Sequence, residues 1–160
     1  MFRILAPAAL LIAGPALADG IVPKDGTWIT DTESGSFSDS CPEIVTPFLQ
    51  PMLNAMQDQS GQEQELEFGG DFDPERMSPE QTGEVTWEQV SEDEWVGSIA
   101  AEGQDIGTVT VEVRSEEEIA SGVVLNIGAL MGEQAGALGV TAEQMAACTM
   151  NMDMVSTHSG

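Results

Sequence analysis

The chain has 160 residues, with 28 Asp and Glu against 4 Lys and Arg, and a formal net charge of −24. So acidic a chain lacks the basic footprint that neutralises phosphates, which excludes nucleic-acid binding and docking on anionic lipid. One His and two Cys leave too few ligands for a zinc cage or an iron–sulfur cluster, and no cofactor is expected.

The N-terminus reads as a secretory signal peptide. Arg3 and the terminal amine form a short positive stretch, residues 4–14 are apolar apart from Pro7, and Pro15-Ala16-Leu17-Ala18 follows. Small residues at Ala16 and Ala18 place the cleavage after Ala18. The apolar run is shorter than the roughly 20 residues that span a bilayer, so no membrane span is expected in the mature chain. The expected location is the bacterial periplasm or the medium. Residues 19–160 then form a single α+β domain. They keep Lys24, Arg76 and Arg114 against all 28 acids. In an oxidising compartment Cys41 and Cys148 are expected to pair.

Residues 26–31, Gly-Thr-Trp-Ile-Thr-Asp, predict a first strand. Residues 32–40 read as a loop rich in Ser, Asp and Gly. Ser40-Cys41-Pro42-Glu43 has capping-box form. Beyond it, Ile44, Phe48, Met52 and Met56 recur every four residues, with Val45, Leu49 and Leu53 beside them, as on an amphipathic helix. Pro47 suits a first helical turn and Pro51 predicts a kink or a break into two short helices.

Residues 65–69 read as a short strand, with Leu66 and Phe68 on one face, and residues 69–83 as a long loop. From there the period is two. Val85, Trp87 and Gln89 alternate with Glu84, Thr86 and Glu88. Trp95, Gly97 and Ile99 follow a turn at 91–94, and Val109, Val111 and Val113 follow a turn at 102–105. Val123, Leu125 and Ile127 follow an acidic turn at 115–118. Such short connections favour an antiparallel meander. Residues 128–140 suit a weak helix or a crossover, Thr141-Ala142-Glu143-Gln144 a second capping box, and 147–155 a last strand; residues 158–160 are expected to fray. The expected fold is α+β: an antiparallel sheet of about six strands, a meander or curled half-barrel, with one kinked helix inserted after the first strand.

Met150, Met152 and Met154 carry the most specific chemistry, because thioethers are soft ligands that select Cu(I). The same spacing makes Cys148, Met150, Met152 and Met154 the apolar face of a half-buried strand. Asp71-Phe-Asp-Pro-Glu75 offers oxygen ligands for Ca²⁺, but Arg76 stands where a calcium loop needs Gly and Thr82 where it needs Glu. No catalytic residue is assigned. The lone His158 lies three places from the end, and no carboxylate pair stands out.

Gly26-x-Trp28 resembles the G-x-W of the lipocalin first strand. The later Tyr- and Arg-bearing motifs of lipocalins have no counterpart in a chain without Tyr, and neither lipocalins nor lipid-binding β-clams are assigned. The expected function is a non-enzymatic binding or interaction protein of the bacterial envelope, holding a small apolar ligand. Trp28, Phe48, Met52, Trp87 and Trp95 are the candidates to line its pocket. The alternatives are copper binding through Met150, Met152 and Met154, and a structural envelope protein with no ligand.

Overall fold

The computed structural model describes residues 20–58, 60–77, 84–101, 103–131 and 134–160. The leader, its cleavage site, part of the 69–83 loop, Glu102 of the 102–105 turn, and Gly132 and Glu133 of the 128–140 segment lie outside the described residues.

Among the described residues, seven antiparallel strands form one curled half-barrel, in the order β2-β1-β7-β6-β5-β4-β3. They are β1 (Gly26–Phe37), β2 (Gln62–Leu66), β3 (Glu84–Ser91), β4 (Glu94–Ala101), β5 (Gln104–Ser115), β6 (Glu118–Asn126) and β7 (Thr149–His158). The sheet therefore has seven strands where about six were expected. The short strand expected at 65–69 forms instead as the edge strand β2 three residues earlier and ends before Phe68; Gln-Glu-Gln-Glu-Leu buries only Leu66, so no hydrophobic alternation marks its start. β3 to β6 run as the expected meander. Glu92-Asp93 links Ser91 to Glu94, and Glu116-Glu117 links Ser115 to Glu118.

β1 runs six residues past its predicted end, through a stretch of weak strand propensity. Pairing with β7 overrides that propensity, from Trp28 opposite His158 to Phe37 opposite Met150. A bulge between Thr32 and Ser34 sits in this ladder. One extra residue restores the parity of the pleat, so Trp28 and Phe37, an odd number apart, both share the face of Met150. Thr30 and Ser156 hydroxyls meet at 2.7 Å on that face.

Helix α1 (Thr46–Gln57) follows β1, with Pro47 in its first turn and Pro51 inside it. Its cap is Val45, without a side-chain hydrogen bond. The Ser40–Glu43 pattern thus does not cap the helix. That segment turns instead, with Cys41 N–H donating to the Ser38 carbonyl and Val45 N–H to the Pro42 carbonyl. Two adjacent apolar stripes compete on α1, and the sheet takes Val45, Leu49 and Leu53. Ile44, Phe48 and Met52 face outward, 57%, 62% and 38% exposed.

Three short helices, α2 (Ile127–Met131), α3 (Gln134–Ala137) and α4 (Ala142–Met145), join α1 over one end of the inner face. Ile127, expected as the end of a strand, begins α2. The second capping box forms: Gln144 N–H donates to Thr141 Oγ1 at 3.3 Å, and Thr141 N–H to Gln144 Oε1 at 2.9 Å. Val45, Leu49, Leu53, Ile127, Met145 and Met150 make the core there. The Cys41–Cys148 disulfide lies in it and spans 107 residues of sequence. A second core at the other end gathers Trp28, Leu66, Phe68, Phe72, Val111, Val113 and Ile119.

The tail does not fray. Thr27 N–H donates to the Gly160 carbonyl at 2.9 Å and Ser159 N–H to the Thr27 carbonyl at 2.8 Å, so the chain end continues the β1–β7 ladder. The His158 ring packs edge-on against Trp28, with centroids 5.5 Å apart.

Candidate functional site

The segment after β2 folds back over the second core. Gly69 and Gly70 take positive φ, 68° and 91°, a reversal that side chains with a Cβ rarely adopt. The Asp25 carboxylate holds this turn by accepting N–H bonds from Gly69 at 3.1 Å and Phe68 at 2.5 Å. Those bonds keep the Asp25 carboxyl below its ordinary pKa of 3.8. A short 3-10 turn, Pro74–Met77, follows. Asp73 Oδ1 accepts the Glu75 N–H at 3.0 Å, and the Arg76 guanidinium donates to the Glu67 carbonyl at 2.5 Å.

A carboxylate whose folded pKa is lowered stabilises the fold above its unfolded pKa, and loses that contribution as pH falls through the folded value. Glu117 shares the direction, held below its usual range by the hydrogen bond and charge of Lys24. Stability is therefore expected to fall on acidification below the ordinary values of the two groups, 4.5 for Glu117 and 3.8 for Asp25. Asp25→Asn is expected to make that fall shallower, as read from urea midpoints over an acid pH series. An unchanged acid slope would show that Asp25 does not hold the turn.

The turn brings Phe68 and Phe72 inward and builds a row of rings. Trp28 meets Phe68 edge-on at 5.9 Å, Phe68 meets Phe72 at 5.6 Å, and Phe72 meets Trp95 at 4.6 Å with planes tilted by 56°. Trp87 stands on the same sheet face as Trp95, one strand over, opposite Gly97. A Cβ at Gly97 would come within 2.8 Å of the Val85 and Val109 side chains and 3.0 Å of the Trp87 ring. The missing side chain thus makes the room in which Trp87 lies across β4. The Trp87 indole nitrogen is buried without a hydrogen-bond partner.

Between these rings and the 71–76 loop opens a cleft of about 370 Å³. Phe72, Trp87 and Trp95 supply its apolar wall, and Asp71, Asp73, Glu75 and Arg76 its rim. Two further depressions lie elsewhere. One of about 430 Å³ lies beside Pro47 at the start of α1. One of about 470 Å³ lies over Ala120 and Gly122, on the sheet face turned away from the cores.

The sequence candidates do not converge on one place. Trp87 and Trp95 meet at the cleft. Trp28 is fully buried, its indole N–H donating to the Lys24 carbonyl at 3.0 Å. Phe48 and Met52 stand on the outer side of α1, which packs in the other core. Phe72 is the cleft residue that sequence reasoning missed. It sits in a loop with no periodicity, and only its spacing from Phe68 hinted at a shared face. Met150 and Met152 are buried, Met154 is partly exposed, and Cys148 is committed to the disulfide. Asp71, Asp73 and Glu75 serve the rim and the turn. Among the described residues no group of three or more His, Cys, Asp or Glu is placed to share a metal ion. No helix among the described residues is long and apolar enough to cross a membrane.

No protein-family model matches this chain, and no curated protein or solved structure does either. The functional reading rests on the half-barrel and its cleft.

Proposed function

We propose that this is an exported, non-enzymatic binding module of the bacterial envelope, and that the cleft beside β3 and β4 holds a small apolar ligand. One observation carries the reading. Trp87 and Trp95, large rings that usually fill cores, are left partly exposed at an open cleft beside the buried Phe72. The leader-like residues 1–18 and the disulfide support export to an oxidising compartment.

Nile red, a neutral apolar dye, tests the site. Wild-type protein is expected to bind it saturably with a rise in fluorescence. Trp95→Ala and Trp87→Ala are each expected to weaken binding about tenfold, while Phe48→Ser on α1 leaves it unchanged. No binding by the wild type, or equal binding by Trp95→Ala, would overturn the reading.

A second reading, an interaction protein without a small ligand, is favoured by the outer face of α1. Residues 44–57 hold no charged side chain in a chain with 28 acids, and Ile44 and Phe48 are more than half exposed.

A further inference from the structure

We propose that the ligand of the cleft is an organic cation, a quaternary or alkylated ammonium carried on an apolar body. This rests on the cleft being a binding site and goes beyond it by assigning the ligand's charge.

The walls come first. Phe72 and Trp95 are tilted by 56° rather than stacked, so the two rings form a corner. The indole nitrogen of Trp87 is buried, so what Trp87 turns to the cleft is ring and not N–H. Aromatic faces carry partial negative charge and attract a cation, most strongly when it is a poorly hydrated ammonium.

The rim points the same way. Asp71, Asp73 and Glu75 outnumber the one guanidinium, and Arg76 is drawn off to the Glu67 carbonyl, with Asp73 3.9 Å away. Around the cleft lies the field of a chain with 28 acids and 4 bases, which an apolar wall focuses inward. An anion is repelled from such a site. A neutral ligand uses the rings and wastes the carboxylates. An ammonium on an apolar body uses both.

The experiment compares benzyltrimethylammonium with neopentylbenzene, its uncharged isostere in which carbon replaces the quaternary nitrogen. Both are titrated into the whole mature protein, followed by tryptophan fluorescence, in low and in high salt. The cation is expected to bind about tenfold tighter than the isostere. That margin is expected to shrink in high salt, and also in the Asp71→Asn/Glu75→Gln variant. Both of those side chains are exposed, so the variant should melt like the wild type. Trp95→Ala is expected to weaken both ligands. If the isostere binds as well as the cation or better, the assigned charge is wrong and the apolar-ligand reading stands. If neither ligand binds the wild type, both readings fall.

Discussion

Replacing Cys41 and Cys148 together by alanine is expected to lower the unfolding free energy by about 4 kcal/mol. The bridge closes a loop of 107 residues, and cross-linking so long a loop removes much of the freedom of the unfolded chain. Cys148 is fully buried in the helix-side core, so the small cavity left by alanine adds to the loss rather than relieving it. The bond also ties the loop before α1 to the start of β7. Without it, amide exchange is expected to rise first in α1 and in α2 to α4, ahead of β5 and β6. Urea unfolding of the wild type, with and without reductant, and of the double variant measures the effect. A midpoint that moves with neither change would show that the bridge contributes nothing.

Trp28→Ala is expected to cost about 3–5 kcal/mol, the range for deleting a large ring from a packed core. Trp28 is fully buried on β1 and is touched edge-on by Phe68 from the loop and His158 from β7. Its N–H bond to the Lys24 carbonyl is lost as well. In a chain of this size the melting temperature should drop by about 10 °C. Trp28→Phe, which keeps a ring, should cost markedly less. Because Phe68 and Phe72 continue the row to Trp95, the near-ultraviolet circular dichroism of the cleft should change with Trp28→Ala. A melting point near the wild-type value would mean that the aromatic end is not a core.

The meander was legible because Val109, Val111 and Val113 alternate so cleanly that only a strand with one buried face explains them. The disulfide followed from two cysteines and a leader-like start. The outer half of β1 was not legible. Thr32 to Ser36 are polar or small, and what makes them a strand is their partner β7, more than a hundred residues on. The helix face was half legible. Ile44, Phe48 and Met52 match the helical period as well as Val45, Leu49 and Leu53 do, and periodicity alone does not choose between neighbouring stripes. Of the candidate site, Trp87 and Trp95 were visible as aromatic residues on strands. Phe72 was hidden, because a loop residue gains its place from a turn held by Asp25, far away in sequence.

The sheet order carries a consequence for timing. The strand that opens the sheet, β1, and the strand that comes last, β7, lie side by side in its interior. In the sheet, β1 and β2 pair with the meander only by way of β7, so the seven-stranded ladder is not continuous until that strand is in place. Pairings so distant in sequence form slowly, since the loop between them must be ordered first. Refolding of the denatured chain is therefore expected to be limited by the pairing of β1 with β7.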